Sequence, residues 1–125
     1  MTKRKLCLAA LLLCLVALAG CAQSSPESAV TAYFEALVAG EEAKLTELSC
    51  ASWEAQAATQ ADSFRAMNPT LRDMRCTAGE ASGGFTPVTC QGAIVTNYNG
   101  ETTEWPLETY RAVQEDGAWR FCGLG

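Results

Sequence analysis

The sequence predicts an α+β fold in which N-terminal helices pack on a curved four-stranded antiparallel sheet. Between residues 25 and 67, apolar side chains recur at the three- and four-residue spacing of amphipathic helices. From residue 71 onward, strand-like runs alternate with glycine-containing turns, and Asn99-Gly100 is the strongest short hairpin signal among them. Helices followed by consecutive strands favour a single sheet covered by helices on one face.

The first helix is predicted to begin after Ser25, because serine is a favoured N-cap residue. Pro26 then occupies the first helical position, and Glu27 lies in the first turn, where a negative charge is favourable. Gly40 is the predicted C-cap. The apolar face of this helix comprises Val30, Tyr33, Phe34, Leu37 and Val38.

Two further helices are predicted before the sheet. Residues 41–49 form a short helix that carries Leu45 and Leu48, and residues 52–67 form the third helix. Asn68-Pro69 ends the third helix, because the residue before a proline avoids helical backbone angles. Its apolar face comprises Trp53, Ala57, Ala61, Phe64 and Met67.

The second half of the chain predicts four strands joined by three hairpin turns. The strands cover residues 71–81, 85–98, 101–114 and 118–122. Asn99-Gly100 fits a two-residue type I′ turn, whereas Ser82-Gly83-Gly84 and Glu115-Asp116-Gly117 fit three-residue loops that end in a left-handed glycine. The resulting register pairs Tyr98 with Glu101, Ile94 with Trp105, Gly92 with Leu107, Ala81 with Phe85, Cys76 with Cys90, Val113 with Trp119, and Arg111 with Phe121.

This register sorts the strand residues into a core face and a solvent face. The core face comprises Met74, Cys76, Val88, Cys90, Ile94, Trp105, Leu107, Val113, Trp119 and Phe121. The solvent face is mostly polar and comprises Arg72, Asp73, Gln91, Val95, Asn97, Thr102, Glu104, Glu108 and Tyr110. Core packing is the ordinary role of the inward aromatic residues. Lining a ligand pocket is the alternative, and the residues that would do so are Tyr33, Trp53, Phe64, Trp105 and Trp119.

The domain contains four cysteines, Cys50, Cys76, Cys90 and Cys122. They indicate two disulfides, since even numbers of cysteines are typical of small exported domains. Directly opposed strand positions predict a Cys76–Cys90 bridge. Elimination then predicts Cys50–Cys122, although the register turns Cys122 away from Phe121, so this pair requires a bulge in the last strand or Cys50 at the sheet margin. A metal site is the weaker alternative, because the spacings are wide and the chain has no histidine.

The first 21 residues have the features of an export signal. Lys3, Arg4 and Lys5 precede an apolar run over residues 6–18, which is too short to remain as a membrane-spanning helix. The run ends in Leu18-Ala19-Gly20-Cys21, which resembles the lipobox of bacterial lipoproteins. This resemblance implies cleavage before Cys21 and attachment of lipid, including palmitate, to that cysteine.

The predicted organisation is therefore a signal peptide over residues 1–20, a lipidated N-terminus and tether over 21–25, and one domain over 26–125. Two or more acyl chains give stable anchoring. The expected location is outside the cytoplasm on a bacterial membrane, and Gln23 in the second position after Cys21 favours the outer membrane where there is one. Ordinary cleavage after Ala19, which would release a soluble secreted protein, is the alternative.

Charge restricts the partners. Removal of Lys3, Arg4 and Lys5 takes the net charge from −5 to −8, and no basic stripe remains. We therefore expect no nucleic-acid binding, and we expect the lipid to make the membrane contact. Absence of histidine excludes Ser-His and Cys-His catalysis, and no cofactor or metal is predicted.

Both ends of the domain resemble the nuclear transport factor 2-like superfamily, also called cystatin-like. The matching segments are residues 26–37 (PESAVTAYFEAL), 39–41 (AGE) and 116–121 (DGAWRF). The resemblance implies a curved sheet that wraps around a helix to form a cone. The superfamily includes isomerases, dehydratases, hydrolases, ligand binders, protein-interaction modules and lipoproteins, so the fold does not fix the function.

No catalytic residue is predicted. Glu80 and Glu101 are the only sheet carboxylates expected on the inner face, and both lie at hairpin ends. The inward polar candidates Thr96, Thr103, Thr109, Arg111 and Tyr33 include no obvious base. We therefore expect a non-enzymatic protein that binds a small apolar ligand or an envelope protein. A filled structural module and, less favoured, an enzyme of the same superfamily are the alternatives. An open cavity of about 300 Å³ or more would favour the ligand.

Overall fold

A computed structural model describes residues 23–125 and shows helices packed against a five-stranded antiparallel sheet. The helices are α1 (Pro26–Ala39), α2 (Glu42–Glu47) and α3 (Glu54–Arg65), with one 3-10 turn over Ala51–Trp53 before α3. The strands are β1 (Thr70–Ala78), β2 (Thr86–Tyr98), β3 (Glu101–Pro106), β4 (Thr109–Glu115) and β5 (Ala118–Leu124). The predicted second and third helices exist, but both are shorter than the sequence pattern indicated.

The ends of α1 confirm the sequence prediction. Ser25 is the N-cap, and its hydroxyl accepts a hydrogen bond from the Ser28 backbone N–H at 3.2 Å. The Ser28 hydroxyl in turn accepts from the Ser25 backbone N–H at 3.2 Å, which completes a capping box. Gly40 ends the helix in the left-handed conformation, with φ 71°.

The prediction of one continuous strand over residues 101–114 is wrong. The chain leaves the ladder after Pro106 and re-enters it at Thr109, so β3 pairs with the end of β2 and β4 pairs with its beginning. Proline has no N–H to donate to a ladder, which favours an interruption at this point. The N–H of Leu107 still donates to the Gly92 carbonyl at 2.9 Å, but the register shifts by one residue across the break.

The β4–β5 register also differs from the prediction by one residue. Val113 pairs with Arg120, and Ala112 pairs with Phe121. The cause is the turn: Asp116 and Gly117 have φ values of 52° and 77°, which form a two-residue type I′ turn instead of a three-residue loop. The first hairpin shows a similar shortening, because its closing bridge joins Ser82 to Phe85.

Because of these register shifts, several residues lie on the opposite face of the sheet from the one predicted. Tyr110, which was predicted to face solvent, is only 7% exposed and belongs to the core. Arg111, predicted to point inward, is exposed and lies 4.6 Å above the ring of Phe85. Val113, predicted to belong to the core face, is only partly buried. The pairings Tyr98–Glu101, Ile94–Trp105 and Cys76–Cys90 are confirmed.

Aromatic rings fill the base of the fold between α1 and the sheet. Tyr33 stacks on Phe121 with ring centroids 3.7 Å apart, and Phe34 packs edge-on against Phe121 at 5.5 Å. Tyr110 closes the group at 5.4 Å from Phe121. The edge-on and tilted pairs, at 5.5 and 5.4 Å, have separations at which aromatic contacts add to the free energy gained from burial.

Both cysteine pairs predicted from the sequence form disulfides in the structure, Cys50–Cys122 and Cys76–Cys90. Cys50 reaches Cys122 because residues 48–50 run along the margin of β5. The N–H of Cys50 donates to the Phe121 carbonyl, and the N–H of Phe121 donates to the Leu48 carbonyl, both at 2.8 Å. Cys50 thus lies at the sheet margin. The last strand also has an irregularity at this point, because Cys122 and Gly123 lie opposite the single residue Arg111, so both of the alternatives considered for this pair are present.

Candidate functional site

The candidate site is a partly enclosed pocket of about 220 Å³ at the mouth of the fold, between α3 and the break that separates β3 from β4. Phe34, Tyr110 and Phe121 of the aromatic core form its inner wall, and its rim lies at the protein surface. The lining residues are Phe34, Trp53, Gln60, Phe64, Ile94, Trp105, Pro106, Leu107, Glu108, Tyr110, Phe121 and Leu124.

Three of the five residues predicted to line a pocket do so, namely Trp53, Phe64 and Trp105. Tyr33 lies outside this lining and is completely buried behind it, stacked on Phe121. Trp119 also lies outside the lining. It is partly buried at the start of β5, where its backbone N–H donates to the Gln23 carbonyl at 3.2 Å.

A partly buried hydrogen-bond chain fixes the deep side of the pocket. The Trp53 indole N–H donates to the Tyr33 hydroxyl at 3.1 Å, and that hydroxyl donates to Oε1 of Gln60 at 2.6 Å. Burial raises the pKa of Tyr33 to about 12, while the hydrogen bond from Trp53 opposes this shift. The phenol is therefore neutral at ordinary pH, and it orients both pocket residues.

Two tryptophans, Trp53 and Trp105, line the pocket. Trp105 packs edge-to-face with Phe64, with centroids 6.0 Å apart, and its indole N–H donates to the Thr96 hydroxyl at 3.0 Å. Trp53 lies against the backbone of Gly123, where an added Cβ would stand 2.7 Å from the indole ring. Gly123 also has a φ of +89°, a backbone angle that favours glycine. Its lack of a side chain leaves the space that the Trp53 ring occupies.

Glu108, Tyr110 and Gln60 are site residues that the sequence pattern missed. Glu108 lies exposed at the rim, and its backbone N–H donates to the Tyr110 hydroxyl at 3.0 Å. Burial raises the pKa of Tyr110; the hydrogen bond from Glu108 opposes this shift, and the Glu108 carboxylate adds to it. Pro106 was the available signal, because a proline inside a strand pattern marks an edge or an interruption.

The pocket is smaller than the 300 Å³ that would have favoured a ligand of drug size. A dry cavity of about 150 Å³ is nevertheless enough to hold benzene. The site can therefore accept one ring with a small substituent. Larger and more open depressions of about 400 to 480 Å³ also occur. One of them adjoins the pocket, since it shares Leu107, Glu108 and Leu124 with it.

The remaining predicted features concern the membrane and metals. Cys21 lies outside the described residues, so its lipidation stays a prediction. Gln23, placed in the tether by the sequence, forms a bridge with Trp119. Within residues 23–125, no helix is long and apolar enough to cross a membrane, and no group of metal-ligating side chains occurs.

Comparison with known proteins identifies the fold. No family model and no curated protein matches the sequence. Among solved structures, a candidate dehydratase of the NTF2-like family from Streptomyces avermitilis matches with a TM-score of 0.53 and 14% identity, over 78% of this chain and 92% of that chain. An NTF2-like protein with a cystatin-like fold from Novosphingobium aromaticivorans matches with a TM-score of 0.50 and 14% identity, over 78% and 79%. The domain therefore has the NTF2-like, cystatin-like α+β fold that the sequence resemblance implied.

Proposed function

We propose that the protein is a membrane-anchored extracytoplasmic lipoprotein whose domain binds a small apolar, ring-containing ligand without transforming it. The observation that carries the proposal is the pocket at the mouth of the fold, where Trp53, Phe64 and Trp105 offer apolar surface that the core does not cover. Trp105 remains 45% exposed. A large aromatic side chain left half exposed beside a cavity is typical of binding sites.

The two disulfides support the proposed location, because such bonds persist in oxidising compartments outside the cytoplasm. The lipobox-like Leu18-Ala19-Gly20-Cys21 supports the anchor. We expect Cys21→Ala to abolish labelling with palmitate and to move the protein out of the membrane fraction. Cys7→Ala, within the leader, is the matched control and should leave both properties unchanged. Palmitate labelling that survives in Cys21→Ala would contradict the anchor.

Ligand binding is tested with a small neutral aromatic probe. In ¹⁹F NMR, 4-fluorotoluene should bind saturably, and Trp105→Ala should weaken binding about fivefold through loss of one aromatic wall. Tyr98→Ala is the matched control, since Tyr98 is 55% exposed on the same hairpin but does not line the pocket. Equal effects of the two variants would place the probe elsewhere and contradict the proposed site.

A proton-transfer enzyme is the second candidate. The specific observation in its favour is that the Glu108 carboxylate stands at the rim of an apolar pocket, next to Tyr110. A carboxylate and a phenol beside a bound substrate can act as base and acid. In that case Glu108→Gln would abolish turnover by this route, whereas in a binding protein it changes affinity alone.

A further inference from the structure

We infer that the ring-containing ligand taken by this pocket carries an ammonium group beside its apolar ring, as in the arylammonium class, rather than being uncharged or anionic. The inference rests on the proposed function, because it names the ligand class of the same site. Three observations support it. The indole N–H groups of the pocket already have partners, the charged side chain of the lining is negative, and the domain as a whole has an excess of acidic residues.

The pocket tryptophans do not offer their indole N–H groups to a ligand. Both indole N–H groups of the pocket have partners inside the protein, since Trp53 donates to Tyr33 and Trp105 donates to Thr96. A ligand therefore contacts the aromatic carbon surface of the tryptophans and of Phe64. Ring faces carry negative electrostatic potential and attract cations, with tryptophan the strongest of the aromatic side chains.

The ionisable residues of the lining carry negative charge only. Glu108 is the one carboxylate, Tyr110 is a phenol, and no lysine or arginine occurs among the lining residues. An anionic ligand would therefore find no countercharge in the pocket, whereas a cation would find both a carboxylate and π surfaces. The excess of acidic residues in the domain also raises the local concentration of cations.

The test compares three ligands of similar shape that differ in charge. Phenyltrimethylammonium, neutral tert-butylbenzene and anionic benzenesulfonate are titrated into the full-length protein, and binding is followed by NMR. We expect the cation to bind at least about fivefold more tightly than the neutral compound, through cation–π attraction. We expect no saturable binding of the sulfonate.

Glu108→Gln should weaken binding of the cation by about threefold, as expected for an exposed ion contact, and should leave the neutral compound unchanged. Because Glu108 is exposed, the variant should fold normally. Glu101→Gln, at the far end of the β2–β3 hairpin, is the matched control and should alter neither affinity. Equal or tighter binding of tert-butylbenzene would overturn the inference but retain the pocket; failure of all three compounds to bind would overturn the pocket itself.

Discussion

Gly123 shows how one residue shapes the candidate site. Its φ of +89° and the 2.7 Å approach of a Cβ to the Trp53 ring mean that only glycine fits without movement. Trp53 forms one wall of the pocket, so a backbone property of β5 controls the position of a binding side chain. The sequence alone did not reveal this, because the glycine follows Cys122 at a strand end and carries no turn signal.

Gly123→Ala should lower the free energy of unfolding by about 2–4 kcal/mol, because it combines left-handed strain with a clash against Trp53. Gly117→Ala is the control, since Gly117 also has positive φ but has open space at its Cβ position. The control should lose about 1 kcal/mol. Urea denaturation measures both values, and equal losses would show that contact with Trp53 is not what constrains Gly123.

Tyr33 connects the core to the pocket through its hydroxyl. Tyr33→Phe leaves the Trp53 N–H and Gln60 Oε1 without their buried partner, so we expect a loss of about 1–3 kcal/mol in unfolding free energy. Phe34→Tyr is not a suitable control, because it adds a hydroxyl to the core. Tyr98→Phe removes an exposed hydroxyl and should have little effect.

Because the pKa of Tyr33 is raised, we expect the protein to lose stability at high pH. Its pKa is raised by burial from 10.0 to about 12, so the unfolded chain releases the proton at lower pH than the folded protein does. The stability associated with this shift is complete below pH 10 and is lost as the pH rises to about 12. Tyr33→Phe should have a smaller decline across this interval, and an unchanged slope in the variant would contradict the assignment to Tyr33.

At the scale of elements, the two disulfides have different roles. Cys76–Cys90 staples neighbouring strands with a sequence separation of 14, and Cys50–Cys122 joins the segment before α3 to the end of β5 with a separation of 72. In the chain-entropy model these contribute about 3 and about 4 kcal/mol. Cys50–Cys122 also flanks Trp53 and Gly123, so it holds one wall of the pocket.

Paired Cys→Ser variants should separate these roles. Loss of Cys50–Cys122 should lower the melting temperature and weaken binding of the pocket probe, whereas loss of Cys76–Cys90 should lower the melting temperature alone. Non-reducing peptide mapping identifies the pairs directly. A peptide that links Cys76 to Cys122 would contradict the strand register.

Helix α1 and the Asn99-Gly100 hairpin could be predicted from the sequence because their signals are local: a cap, a proline, and a turn that needs two positive φ values. The β4–β5 register could not, because Glu115-Asp116-Gly117 fits either a two- or a three-residue loop. The three-residue loop that we predicted placed Val113 on the core face, whereas in the structure Val113 is only partly buried. The pocket depends on the break after Pro106, and a one-residue shift there decides whether Glu108 and Tyr110 border the site.

At the scale of the whole molecule, Gln23 and the pocket residue Leu124 lie at opposite ends of β5. Gln23 pairs with Trp119 at the start of the strand, and Leu124 at its end lines the pocket. Five residues of strand separate these points by about 16 Å. In the sequence, Gln23 follows the proposed lipidated Cys21 by two residues, so we expect the start of β5 to lie nearer the membrane than its end.

This geometry predicts that the pocket opens away from the membrane. In vesicles that carry the lipidated protein, nitroxide on the lipid headgroups should quench Trp119 more strongly than Trp105, measured in variants that keep one tryptophan each. The Cys21→Ala protein, added to the same vesicles, should show no difference between the two positions. Stronger quenching of Trp105 would contradict the orientation.

The most direct test of the pocket follows the three indole N–H resonances during titration with phenyltrimethylammonium or tert-butylbenzene. Trp53 and Trp105 line the pocket, while Trp119 lies outside it and serves as an internal control. Single Trp→Phe variants assign the resonances. We predict saturable shifts of Trp53 and Trp105 with Trp119 unchanged; no saturable shift with either compound, or equal shifts of all three, would contradict the claim that this pocket binds a small ligand.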